Sequence, residues 1–296
     1  MRLELTLTPK NNKFTLPLNY QYYLYISFFI IFDNASDEFK EWVKNKSFNN
    51  RNDRFYLYNF SLLNFINGRS VDLKNVSISS EGDVKIIFST PINDEKIKKY
   101  IKDLLLNNNI YFYPAKRENQ EFEITEVIEI NEESIPENSY YKMISPGCYF
   151  TKNYRHFFLT GEDKLIDNII YDLKTKYKLF YGEDYNGDIS FEFDKKYIEN
   201  NKVSRLITMK ENTAQEYKIR AFECPFTLMA SPDMQYIALT CGIGMKNKFG
   251  FGAIELSELN NEDSNNKNSI NENNNASEVN NEGGVFNKVK KIFGFN

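Results

Sequence analysis

The sequence predicts an α+β protein made of two similar units followed by a polar tail, and three observations predict it. Over the first 130 residues, segments that alternate apolar and polar side chains with period two are interrupted by segments of helical spacing, in the order β, α, β, β, α, β. The same succession of element types follows a turn-rich stretch at 131–139. Beyond Leu256 the composition changes to an Asn, Glu and Ser tract that cannot bury enough apolar surface to offset its conformational entropy. The order of elements is that of a ferredoxin-like (RRM-like) unit. The expectation is therefore two such domains in tandem, at 1–130 and 140–256, joined by the linker 131–139. A disordered tail is expected at 257–284 and a short basic amphipathic segment at 285–296, either frayed or docking on a partner.

The elements follow in order. RLELTLT at 2–8 alternates and reads as a strand. After Pro17, Asn19 is placed to cap a helix that is apolar on every side and therefore buried, although periodicity alone also allows a strand there. Asp37 opens a short amphipathic helix with Phe39, Trp42 and Val43 on one face. YLYNFSLL at 56–63 and VKIIFST at 84–90 read as strands, and Ile92, Ile97, Ile101, Leu104 and Leu105 mark a helix before the alternating FEITEVIEI at 122–130. In the second unit a helix is expected at 163–178, then strands in GDISFEF, SRLITM and YKIRAFEC, a short helix after Pro232 and a last strand in GAIEL.

Composition limits the function classes. A chain of 296 residues with 41% hydrophobic side chains can fill two ordinary cores. Cys148, Cys224 and Cys241 are odd in number and lack CxxC spacing, so neither a disulfide framework nor a zinc site is expected, and no cofactor is implied. The apolar run at 22–32 is shorter than the roughly 20 residues that cross a bilayer. No signal-peptide core opens the chain, and a soluble cytoplasmic protein is the expectation. The net charge is −4, but the stretch from Ser257 to Gly284 contributes −5, which leaves the rest at +1. A generic polyanion binder would carry a basic excess, so any affinity for RNA must come from a defined site.

The most informative segment is CGIGMKNKFGFG at 241–252, in which Gly242, Gly244, Gly250 and Gly252 form two G-apolar-G pairs around an insert with Lys246 and Lys248. Glycine tolerates positive φ and has no Cβ, so paired glycines let backbone N–H groups approach a phosphate. A purely structural turn against the sheet remains the other reading. The spacing is not that of a dinucleotide fingerprint.

GIGMKNKFGFGAIEL resembles the glycine-rich loop G-h-G-x5-G-h-G that ends the CRISPR-associated repeat-processing endoribonucleases of the Cas6 type. TLPLNYQYYLYISFFIIF is similar to the opening of that family, SPGCYF at 145–150 resembles the start of its second domain, and DLKTKYKLFYG at 172–182 its mid-domain helix. These segments span residues 1–256 in the family's order. The resemblance implies two ferredoxin-like domains that bind CRISPR repeat RNA (the precursor crRNA) and cleave it without a metal by attack of a ribose 2′-OH on the adjacent phosphate. A monomer or homodimer, with possible transfer of product to a CRISPR effector complex, is implied in the same way.

Such chemistry needs a base for the 2′-OH, an acid for the leaving oxygen and a cation beside the phosphorane. The resemblance places these roles on a His near the end of the second helix, a Tyr on the first helix and a Lys beyond. In this chain the Tyr position falls on Phe29 and the His position on Lys44, and Arg54 is the best match to the further basic residue. Lys44 and Arg54 are thus the candidate catalytic residues. Lys46 and Arg51, with Gly242, Gly244, Lys246, Lys248, Gly250 and Gly252, are the candidate RNA-binding residues. Two accounts remain open: a lysine and arginine cluster that cleaves without histidine, or a repeat-RNA binder that has lost cleavage. Lys44 alone also reads as a solvated lysine on a helix face. His156 is the sole histidine and alternates with Tyr154 and Phe158, which favours a structural role over a relocated base.

Overall fold

A computed structural model describes residues 1–45, 57–131, 135–149 and 163–258. Lys46, Arg51, Arg54, His156 and the expected tail beyond Glu258 lie outside them.

The first unit contains β1 (Arg2–Pro9), β2 (Lys13–Pro17), α1 (Gln21–Asp33), α2 (Asp37–Asn45), β3 (Asn59–Phe60), β4 (Asn64–Phe65), β5 (Ser70–Asp72), β6 (Ser77–Glu81), β7 (Val84–Ser89), α3 (Glu95–Leu106), β8 (Asn109–Phe112) and β9 (Gln120–Glu129). The second contains β10 (Asn138–Met143), α4 (Asp163–Tyr181), β11 (Ser190–Phe193), α5 (Lys195–Asn200), β12 (Ser204–Met209), β13 (Tyr217–Phe222), β14 (Phe226–Met229), α6 (Pro232–Cys241) and β15 (Ile254–Leu256), with a single 3-10 turn at Asn247–Phe249.

The sheets show the duplication directly. One runs β3-β7-β1-β9-β8, the other β11-β14-β10-β15, all antiparallel. Counting the four strands of each split-βαβ unit in chain order, both sheets read second, third, first, fourth. The additions differ: β2-β6-β5 forms a small sheet in the first unit and β12-β13 a hairpin in the second. Alternation explains the burial. Leu3, Leu5 and Leu7 pair with Phe88, Ile86 and Val84 on the covered face, while Glu4 and Thr6 pair with Ile87 and Lys85 on the other. No described helix is long and apolar enough to cross a membrane.

Several expectations change. Among the described residues of the segment read as one strand at 56–63, only Asn59–Phe60 is paired as a strand in the sheet, and a second short strand, Asn64–Phe65, follows just beyond it. The backbone between them turns away, and the Leu62 amide donates to Ile144 O of the second unit at 3.0 Å. Asn19 does not cap α1. Tyr20 occupies the cap position without a side-chain bond, and the buried Asn19 reaches across to the β12-β13 hairpin, accepting from the Thr208 amide at 3.1 Å and donating to Glu211 at 3.3 Å. Nor is α1 buried all round: Tyr25 and Phe29 are half-buried and Ile30 is 46% exposed, so one aromatic side of the helix is open. β14, a central strand of the second sheet, was hidden in the sequence because four residues behind Pro225 show almost no period.

One hydrophobic cluster runs through both units, from Leu3, Phe60 and Phe88 to Tyr141, Phe226 and Ile237. Arg2 is 6% exposed and donates from Nη2 to Ile254 O at 3.1 Å, joining the first strand to the last, and burial lowers its pKa to about 10.

Candidate nucleic-acid interface

The glycine segment leaves α6 at Gly242, makes the exposed turn and re-enters the core before β15. All four glycines are buried and hold φ between +70° and +78°. A Cβ on Gly250 would collide with the Phe60 ring, and one on Gly252 with the carbonyl oxygen of Ile243. The amides of Gly242, Gly250 and Gly252 donate to Ala238 O, Asn247 O and Pro146 O at 2.9, 2.8 and 2.9 Å. The backbone expected to face a phosphate at these three positions is therefore turned inward. The missing Cβ atoms let two crossing chain segments pack against Phe60, Asn59 and each other.

SPGCYF is the other half of this arrangement. The Met245 amide donates to Cys148 O at 2.8 Å, the Ala253 amide to Ser145 Oγ at 2.8 Å, and a Cβ on Gly244 would lie 2.7 Å from Cys148 O. Cys148, Cys224 and Cys241 are free and buried, and burial pushes each thiol up to about 12, which makes them inert packing groups.

Lys176 of α4 fixes the loop from below. It is 8% exposed, and its ammonium donates to Gly242 O at 2.8 Å and Gly244 O at 3.0 Å while pairing with Asp172 at 2.6 Å. The Asp172 side chain retains 21% of its exposure, but the Oδ2 that meets Lys176 is sealed from solvent. Burial pushes the Asp172 carboxyl above its usual range, and the Lys176 ammonium pulls it back. This i, i+4 pair stands in DLKTK, but nothing local shows that the lysine turns inward.

What the loop presents to solvent is its insert. Met245 is 38% exposed, and Lys246, Asn247, Lys248 and Phe249 are half-buried. Asn247 ties the insert closed by donating to Ile243 O and Phe251 O at 3.2 and 2.9 Å. The insert rests on the open side of α1. Gln21 donates to Gly250 O at 2.7 Å, and Tyr25 stacks on Phe249 with centroids 4.0 Å apart and planes 24° from parallel. The Lys248 ammonium lies 6.0 Å from the Tyr25 centroid and 5.5 Å from that of Phe249. Lys246 lies 5.0 Å from Phe249 and 5.8 Å from Tyr217. Cations over aromatic rings at a junction between two units suit the backbone and bases of a single-stranded nucleic acid.

Of the expected catalytic residues, Lys44 lies in the last turn of α2 and is exposed. A separate groove of about 890 Å³ lies along β2 and β6 and includes Lys13, Arg69 and Arg117 among its lining residues. Glu81 and Glu118 line it too, Lys13 pairs with Glu81 at 3.8 Å and Arg117 donates to Asn75 and Val76 carbonyls, so its cations are largely engaged within the protein. The insert carries two lysines and no acid.

The profile of the family described as "CRISPR associated protein Cas6, C-terminal" matches residues 130–256. The chain is 27% identical over 278 residues to the CRISPR-associated endoribonuclease Cas6 1 of Methanocaldococcus jannaschii, covering 90% of this chain and 96% of that one. A solved structure of a "CRISPR associated protein Cas6" superposes with a TM-score of 0.63 at 25% identity over 87% of this chain and 99% of the other. An "RAMP protein binding different RNA substrates" shares the fold at a TM-score of 0.65 and 20% identity, over 87% and 100% of the two chains. With the glycine segment, SPGCYF and the duplicated sheet order all in place, residues 130–256 match the C-terminal part of the CRISPR-associated Cas6 family, and the chain is similar to Cas6 proteins along most of its length.

Proposed function

We propose that the protein binds CRISPR repeat RNA at the junction of its two units and cleaves it by attack of a ribose 2′-OH on the neighbouring phosphate, leaving a 2′,3′-cyclic phosphate and a 5′-OH. The observation that carries this reading is the seating of the lysine-bearing insert on the aromatic side of α1, which sets cations and rings from both units on one surface. Similarity to the Cas6 endoribonuclease of M. jannaschii along nearly the whole chain supports repeat binding and cleavage. In this proposal Lys246 and Lys248 hold the sugar-phosphate backbone, and the glycines act through shape by holding the insert in place. Lys44 and Arg54 stabilise the charge that develops on the phosphorane, and Lys46 and Arg51, close to them in sequence, add positive charge. Positioning and fixed positive charge lower such a barrier without an imidazole. The nucleophile belongs to the substrate, and in this proposal lysine and arginine side chains supply the positive charge that the phosphorane needs.

The absence of both Tyr at Phe29 and His at Lys44 favours one second reading, a repeat binder without cleavage. Incubation with repeat RNA in EDTA decides between them. Slow appearance of a 5′-OH product, and none from a repeat carrying 2′-deoxyribose at the scissile nucleotide, is expected. Lys44→Ala and Arg54→Ala should each slow single-turnover cleavage by about 10²-fold, with affinity changed by less than about threefold. Lys248→Ala should instead weaken binding and reduce the slope of log affinity against log salt by about one unit. Binding with no product at any time would establish the second reading, and equal turnover by all variants would remove the assigned site.

A further inference from the structure

We infer that the basic segment 285–296 of this chain docks on the open face of the first sheet. This docking does not depend on whether the protein cleaves RNA.

The face is the side of β7-β1-β9-β8 opposite to α1 and α3. Leu3, Leu5 and Leu7 turn to the core, and the alternate residues of β1 and its neighbours point the other way. There Glu123, Thr125 and Glu126 are exposed, as are Ile128 at 45% and Tyr113 at 57%. Tyr111 and Tyr113 stack with centroids 5.4 Å apart at the β8 edge, and Ile128 stands near the other end of β9. Rings on an open sheet are what an RRM offers to bases, but the charge here has the wrong sign for RNA. Glu4, Glu121, Glu123 and Glu126 stand between these apolar groups, and the neighbouring lysines are already paired, Lys85 with Glu4 at 2.5 Å and Lys10 with Glu121 at 3.4 Å. A phosphate chain would meet net negative charge. A segment with apolar and cationic side chains meets a complement for each.

This chain holds such a segment. VFNKVKKIFGFN, at 285–296, contains Lys288, Lys290 and Lys291 and no acid, with Phe286, Val289 and Phe293 at helical spacing. Twelve residues wound as a helix span about 18 Å, and β9 runs about 20 Å from Glu121, opposite Tyr111, to Ile128. Two other surfaces serve less well, because the insert carries Lys246 and Lys248 and the groove along β2 and β6 carries Lys13, Arg69 and Arg117.

The tether also reaches. β15 ends beside this face, since Arg2 Nη2 donates to Ile254 O at 3.1 Å and Glu4, two residues along β1, pairs with Ile128. From Glu258, 26 residues lead to Val285, and a flexible chain of that length spans about 30 Å. Such a tether holds its end at an effective concentration of about 1 mM, so a contact too weak to form between separate molecules is populated within one. The acids of the tether are repelled by the face, which leaves the basic end to settle there.

The experiment uses the full chain with two introduced cysteines, Asn287→Cys in the segment and Thr125→Cys on the face, joined by a short bis-maleimide in dilute protein. A control pairs Asn287→Cys with Lys99→Cys, exposed on α3 behind the sheet, and the native thiols are buried. Intramolecular linking to the face should exceed the control by about tenfold at low salt. It should fall to the control level when Lys288, Lys290 and Lys291 are all changed to Glu, and return when Glu121, Glu123 and Glu126 of that variant are changed to Lys. Return under swapped charges is a result that a misfolded variant cannot give. Equal linking at the two positions, or linking indifferent to these charges, would overturn the inference. Links between two molecules would assign the face to a second copy, and repeat RNA that shields the Thr125→Cys thiol in the Lys-to-Glu variant would assign it to RNA; either would overturn the inference as well.

Discussion

Gly252→Ala is expected to lower the stability of the whole protein by about 4 kcal/mol or more, whereas Gly68→Ala should cost only about 1. Both glycines have positive φ, +74° and +78°, so the backbone penalty of adding a Cβ is the same. The surroundings differ. At Gly68 nothing lies within 4 Å of the added carbon, while at Gly252 it lands on the Ile243 carbonyl. That carbonyl belongs to the residue whose amide donates to Gly252 O at 2.9 Å, so the two crossing segments cannot separate without breaking a buried hydrogen bond. Chemical denaturation of wild type and both variants measures the difference. Equal losses at the two positions would mean that the crossing is loose.

Lys176→Met should cost about 3–5 kcal/mol, the range for removing one member of a buried ion pair. Three groups lose their partner at once: the sealed oxygen of Asp172 and the carbonyls of Gly242 and Gly244. Adding Asp172→Leu should recover part of the loss, because an apolar pair of similar volume avoids the buried charge, but the two carbonyls stay unmatched. RNA affinity should fall in the single variant through disorder of the insert, although Lys176 is buried beneath it. Unchanged unfolding in the single variant would refute the anchoring role.

The order of elements was legible because it rests on local period: Leu3, Leu5 and Leu7 alternate within one strand, and Ile97, Ile101 and Leu105 line one side of α3. So was the glycine segment as a special place. Its use was not. Whether a glycine exists to admit a phosphate or a neighbouring carbonyl depends on what packs there, and for Gly250 and Gly244 the neighbours are Phe60 and Cys148, residues from distant parts of the chain. The Tyr25–Phe249 stack was invisible for the same reason, since it forms only once the two units dock. Asn19 shows how a local rule yields to that docking: it has the chemistry of a cap, yet Thr208 and Glu211 of the other unit claim both ends of its amide.

The single apolar mass shared by the two halves, pinned at its margin by Arg2 and Leu62, means that this molecule has no jaw. A clamshell gains fit by closing; here the spacing between α1 and the lysine-bearing turn is set before any transcript arrives. Under the proposed function, adaptation then falls to the RNA, which would have to bend to a preset gauge.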